Sequence, residues 1–264
     1  MNEMWSTIHH IFEGMKSQTT VELAEIAQLI QAAESMVAEE PGEWRSFAHV
    51  TETYYYKYFC HGENYQETPV NVAEIWRYFG MQLKKAGQTE DALAAFERSL
   101  QWNPVDAESL LALGECCKDL GDLERLWEVN DELYDLCNTR ALMARYYRNL
   151  GYYYVETYQP ELAEVLYLYS ELYCPTQTAQ GELAFIREAL ERKTPLYTEE
   201  QMREILEDAE IPQDPSEEMV ALTWRAGEDC EESGRYEEAR ECWLLLYDLT
   251  GSPKVLERLE ALSI

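Results

Sequence analysis

The chain has 264 residues, 46% of them hydrophobic, and a formal charge of -30 from 51 acidic and 21 basic side chains. That length supports one large domain or two smaller ones, and that composition supports a buried core. So much negative charge repels phosphate backbones and anionic lipid, so neither nucleic acid nor a membrane surface is expected as a partner. The seven Cys include no CxxC pair, so buried thiols in a reducing cytosol are expected rather than a disulfide frame.

The N-terminal stretch MNEMWSTIHHIFEGMKSQ has no basic start ahead of an apolar run and is not read as a signal peptide. No apolar run reaches membrane-spanning length, and a cytoplasmic protein is expected. Thr19 and Glu22 have capping-box spacing before a helical stripe of Val21, Leu23, Ile26, Leu29, Ile30, Ala33 and Val37. PGEWRSFAHVTETYYYKYFC reads as a helix opening after Pro41, although its Tyr and Val residues also suit a strand. In EIWRYFGMQLKKAGQTEDALAAFERSLQWNP, residues 74–104, Gly87 ends one helix, Thr89 caps a second and Pro104 follows its end. Gly121 repeats that turn, and Gln159-Pro160 takes its place further on. TAQGELAFIREALERK and TEEQMREILEDAEI supply a degenerate helix pair, and IPQDPS after them is the best candidate for a hinge. A helix starts at Asp214-Pro215-Ser216-Glu217, Gly234 turns the chain again, and SPKVLERLEALSI reads as an amphipathic capping helix. Twelve or thirteen helices and no convincing strand are expected.

One ruler runs through four of these segments. Trp76, Gly80, Ala92, Phe96 and Pro104 are separated by steps of 4, 12, 4 and 8 residues. The same offsets give Leu110, Gly114, Leu126, Asn130 and Asn138, then Tyr147, Gly151, Ala163, Tyr167 and Pro175. They recur as Thr223, Gly227, Ala239, Trp243 and Gly251. Steps of four stack residues on one helix face, where a small residue allows close approach and a large ring fills the space beside it. Such a period marks a helical repeat array. The set Trp76, Phe79, Gly80, Leu83, Gly87, Ala92, Phe96 and Pro104 closely resembles the tetratricopeptide repeat (TPR) family. The second segment departs with Leu126 for a small residue and Asn138 for Pro, and the third carries an insertion near Asn138-Thr139. The resemblance covers about residues 72–175 and 216–251.

That resemblance implies an all-α right-handed superhelix, an α-solenoid of stacked antiparallel helix pairs. The expected organisation is N-terminal helices packing on the array (1–71), three TPR-like repeats (72–175), a degenerate pair (176–213), and a last repeat with a capping helix (214–264). It also implies a partner segment held on the concave face of the first helices. The family's concave positions fall here on Arg77, Met81, Lys84 and Lys85, then Leu111, Glu115 and Lys118. Next come Arg145, Arg148, Asn149 and Tyr152, and finally Trp224, Arg225 and Glu228. This roster holds seven basic and two acidic residues, so a basic groove inside an acidic shell is expected, suited to an acidic peptide. The blander reading is that these charges pair with neighbouring Glu residues. Arg77, Arg145 and Asn149 match part of a terminal-carboxylate clamp found in some members. Met81 and Ala112 replace two of its Asn residues, so a looser groove is expected. The nineteen Tyr can anchor an interface or fill space between helices.

No GxxxxGK[ST], GxGxxG, GxSxG or HExxH pattern occurs, and Cys60-His61 has no second ligand pair. No catalysis, cofactor or metal is expected. The expected function is a protein-interaction module: a scaffold, adaptor or co-chaperone. A peptide-responsive regulatory receptor is the alternative, and an enzyme is a weaker one. The terminal helices, with Trp5, Ile8 and Ile11 or Leu256, Leu259 and Leu262, either cap the array or pair with a second copy, giving a monomer or weak homodimer.

Overall fold

The computed structural model describes residues 3–18, 20–38, 41–191 and 197–262. The chain divides into two compact units, Met1–Gly121 and Asp122–Ile264. Fourteen α-helices lie among the described residues, and consecutive helices pack in pairs.

Unit 1 begins with α1 (Glu3–Lys16) and α2 (Leu23–Ser35). Trp5, Ile8 and Phe12 of α1 and Ile26, Leu29 and Ile30 of α2 form one core with Val72 and Ile75 further along the chain. Trp5 and Ile8 are therefore buried, while Ile11 stays 43% exposed. Thr19, expected in a capping box, falls outside the described residues; Glu22 sits at the N-cap without a side-chain bond. The helix expected to open after Pro41 starts only at Val50. Instead β1 (Trp44–Arg45) runs extended and pairs in parallel with β2 (Gln66–Glu67), so the expectation of no strand is corrected by two short ones. The helix that follows β1, α3 (Val50–Phe59), opens with a capping box between His49 and Glu52, so the ambiguous Tyr-rich run is helical.

The first repeat is α4 (Val72–Lys85) and α5 (Thr89–Trp102), and α6 (Ala107–Leu120) packs on α5. Gly87 turns the chain with φ 77°, as expected. Thr89 is the first residue of α5 and not its cap; Gln88 holds that place without a side-chain bond. The ruler's steps acquire a physical meaning here. A Cβ on Gly80 would stand 2.7 Å from the ring of Phe96, so only glycine admits that ring between the paired helices.

Unit 2 contains α7 (Leu123–Tyr134), α8 (Arg140–Glu156), α9 (Pro160–Tyr173) and α10 (Gln177–Ala189). It continues with α11 (Glu199–Asp208), α12 (Glu217–Glu232), α13 (Tyr236–Thr250) and α14 (Pro253–Ala261). The pairs α8/α9 and α12/α13 repeat the glycine–ring contact: Gly151 meets Tyr167 and Gly227 meets Trp243, each at 2.7 Å from a notional Cβ. In the second segment Asn130 takes the ring's place; its amide is buried and has no hydrogen-bond partner among the described residues. Helices α10 and α11 both pack on α9. Helix α14 covers Trp243 and Leu246 with Val255 and Leu259. Arg258 ties it down, reaching Glu228 and Glu231 at 2.8 Å while lying over the Trp243 ring at 5.4 Å.

Helical glycine normally costs about 1 kcal/mol relative to alanine, so two substitutions are expected to have opposite signs. Gly181→Ala, where a Cβ meets nothing within 4 Å, is expected to stabilise by about 0.5–1 kcal/mol. Gly227→Ala, which drives a methyl into a fully buried Trp243, is expected to destabilise by about 1–3 kcal/mol. Chemical denaturation of the two variants checks both; equal shifts would contradict the close-approach explanation of the ruler.

Candidate peptide-binding surface

Helix α4 carries the first four predicted contact residues. Asn71 caps it by accepting from the Glu74 N–H at 2.9 Å, and Lys84 and Lys85 in its last turn complement the helix dipole. Its residues Val72, Ala73, Ile75 and Leu83 are buried. Met81 is the exception, with 46% of its surface exposed. Lys84 pairs with Asp119 at 3.2 Å. Lys85 is exposed and makes no ion pair among the described residues. Arg77 is committed elsewhere: its guanidinium donates to both oxygens of Asp106 at 2.6 and 2.7 Å. Asp106 in turn caps α6 and accepts from the Ser109 hydroxyl at 2.6 Å. On α6 itself, Leu111 is fully buried and Lys118 pairs with Glu115 at 2.6 Å.

Helix α8 presents a similar division. Arg148 donates to the Ser170 hydroxyl at 3.1 Å, to Glu171 at 3.2 Å and to the Cys174 carbonyl, so it braces α8 against the end of α9. Asn149 is buried, whereas Arg145 and Tyr152 are half-buried. On α12, Trp224 packs edge-on to Trp243 at 5.0 Å, Glu228 pairs with Arg258, and Arg225 lies open with a loose 3.8 Å approach to Asp229. Several residues of the predicted basic face thus pair with neighbouring acids. The best-presented side chains on α4 are Met81, Lys84 and Lys85.

The buried charge network beside α4 was not legible in the sequence. Glu52 is 8% exposed and accepts from the Ala48 N–H at 2.6 Å and from Asn103 Nδ2 at 2.9 Å. Burial, followed by the Asp106 carboxylate nearby, pushes its pKa up to about 7, against the downward pull of those N–H donors. The buried cysteines move in the same direction: burial raises Cys137 and lifts Cys242 to about 12, which suppresses thiolate chemistry. All seven cysteines are free thiols. Among the described residues no His, Cys, Asp or Glu cluster is placed to hold a metal, and no helix is long and apolar enough to cross a membrane.

The paired helices and their recurring glycine–ring contact define the class: an all-α helical-repeat protein with TPR-like pairs. No protein-family model matches the chain, and no curated protein matches it. Several solved structures do. The thermophilic TPR protein TTC0263 from Thermus thermophilus is 19% identical, with a TM-score of 0.41 over 72% of this chain and 98% of that one. YrrB, described as a TPR protein with an unusual peptide-binding site, is 17% identical, with a TM-score of 0.37 over 72% and 92%. PilF from Pseudomonas aeruginosa is 12% identical, with a TM-score of 0.46 over 98% of each chain.

Glu52 makes a signed pH prediction. Its folded-state pKa lies above the ordinary 4.5, so the folded chain holds the proton longer than the unfolded one. Its contribution is therefore fully present below about pH 4.5 and is lost as pH rises through about 7. Relative to the wild type, Glu52→Gln is expected to gain up to roughly 3 kcal/mol of stability between those limits. Urea titrations of both proteins across that range measure it; parallel pH profiles would exclude a buried, proton-binding Glu52.

Proposed function

We propose that this chain is a non-catalytic protein-interaction module, a scaffold, adaptor or co-chaperone, that holds a partner's segment on the face of its first helices. The observation that carries this reading is Met81. It is 46% exposed on a helix whose other aliphatic side chains point inward. Lys85 lies four residues on, so the thioether and an unpaired ammonium share one helix face. Methionine adapts its shape to varied apolar partners, and the ammonium selects for a carboxylate. The partner on α4 is therefore a segment with an acidic residue close to an apolar one. Helix α4 bears three cations against Glu74, and α8 bears three against Glu156, so these two helices are cationic in a chain of charge -30, whereas α6 and α12 carry more acids than bases. On α8, taken by itself, Arg145 and Tyr152 are the proposed contacts, while Arg148 is held by Ser170 and Glu171 as Arg77 on α4 is held by Asp106.

Free cysteines in this number agree with a reducing, cytoplasmic setting.

Immobilised wild type and the Met81→Asp/Lys85→Glu variant are to be compared for partners captured from native extract, followed by calorimetry with the captured segment. The variant is expected to lose at least about tenfold in affinity with only a small fall in its thermal midpoint, since both side chains are exposed and only the helix-dipole and propensity contributions are lost. Arg148→Ala is expected to lower stability by about 1–3 kcal/mol instead, because it strips partners from Ser170, Glu171 and the Cys174 carbonyl. Partners that persist on the double variant would remove α4 as the binding surface.

A further inference from the structure

Four tyrosine hydroxyls in unit 2 converge on three consecutive main-chain carbonyls. Tyr147 donates to Pro212 O at 2.9 Å, Tyr169 and Tyr173 both donate to Gln213 O at 3.0 Å, and Tyr134 donates to Asp214 O at 3.0 Å. The rings behind them interlock, with Tyr147 5.0 Å from Tyr169 and 5.6 Å from Tyr173. Arg203 lies over the Tyr169 ring at 5.6 Å and reaches the Asp214 carboxylate at 3.5 Å, while Gln213 Nε2 donates to the Arg203 carbonyl at 2.8 Å. The segment between α11 and α12 forms neither helix nor strand.

A surface linker needs no such wall, because water satisfies its carbonyls. The wall offers donors, phenolic O–H and guanidinium, and the segment offers acceptors. Pro212 and Pro215 carry no N–H, so the backbone facing the wall is depleted in donors. Burial raises the pKa of Tyr134 to about 12 and pushes Tyr147, Tyr169 and Tyr173 upward as well, so the phenols stay protonated donors at physiological pH. Glu210, at the segment's entrance, adopts a left-handed φ of 56°, which is unfavourable for a residue with a Cβ. A cavity of about 460 Å³, with Arg140, Tyr169, Arg203, Glu199, Asp214 and Pro215 in its wall, lies beside the segment, and a second of about 440 Å³ beside Trp224 shares Pro215 and Thr250 with the first.

We propose that this tyrosine cleft is a binding site for an extended, proline-containing peptide segment bearing a carboxylate, and that residues 211–215 fill it in cis as a strap that such a segment displaces. The strap itself displays what a ligand must supply: extended main-chain acceptors, prolines that carry no N–H, and an acid where Asp214 meets Arg203. The tether gives the strap a high effective concentration, and the strap keeps the cleft closed to weak competitors. This site is independent of the α4 surface.

The probe is a fluorescent peptide of residues 208–217, DAEIPQDPSE, titrated into the full chain and followed by anisotropy. A chain carrying Pro212→Gly, Gln213→Ser and Asp214→Gly together is expected to bind it at least about tenfold more tightly than wild type. Adding Tyr169→Phe and Tyr173→Phe is expected to abolish the gain. Equal binding to the wild-type and replaced straps, or a gain that survives the Phe substitutions, would overturn the proposal. If the replaced chain loses its helical circular dichroism, Asp214→Lys in the native backbone takes its place with the same two readings. Hydrogen exchange supplies a second measurement. Tyr169→Phe/Tyr173→Phe in the otherwise native chain is expected to speed exchange at residues 211–216 by at least about tenfold with α13 unchanged. Unchanged rates at the strap would likewise reject it.

Discussion

Everything in the repeated pairs depends on how closely two helices approach. At Gly80, Gly151 and Gly227 there is no room for a methyl group, because the ring of Phe96, Tyr167 or Trp243 already stands where one would be. Interiors are packed at crystal density, so a ring that fits against bare backbone cannot shift aside without opening a void elsewhere. That contact fixes the spacing of each pair and thereby which side chains face outward. Met81 is exposed because Gly80, beside it on α4, is turned inward against α5.

Charge is distributed by a second constraint. In a chain with more than twice as many acids as bases, an isolated cation is scarce, and most of those on the first helices find a neighbouring carboxylate. Arg77 holds Asp106, and Arg148 holds Glu171 and a helix-end carbonyl. These partly buried guanidinium groups fasten one helix to the next, a task that suits arginine's fixed fork of donors. Exposed ammonium groups such as Lys85 have no such task. The acid left in the interior, Glu52, bears the cost of its burial as a raised pKa beside Asp106.

The tyrosines divide in a comparable way. Tyr167 fills the gap above a glycine, as any large ring would. Tyr134, Tyr147, Tyr169 and Tyr173 use their rings for packing and their hydroxyls for grip, and together they hold the 212–214 backbone. A phenol does both because its polar atom sits at the end of a rigid apolar body. The stretch that composition marked as a hinge is thereby fastened at three successive carbonyls.

The sequence by itself determined the helical pairs, their glycine turns and the identity of the close-approach positions. All three follow from local chemistry and from spacings of four and sixteen residues that survive in the linear order. It also singled out a mostly basic set of positions on the first helices, with five of its cations on what became α4 and α8, since residue type and helical spacing are local. It misplaced the start of α3, because β1 is held extended by a partner strand twenty-two residues away, and no local propensity encodes that pairing. It could not separate Lys85 from Arg77 or Arg148, since all are cations at positions where a groove was expected and only folding brings Asp106 and Ser170 within reach. Nor could it find the strap, whose four donors come from three helices. Tertiary structure decided those points for one physical reason: the burial and hydrogen bonding of a side chain depend on neighbours distant in sequence.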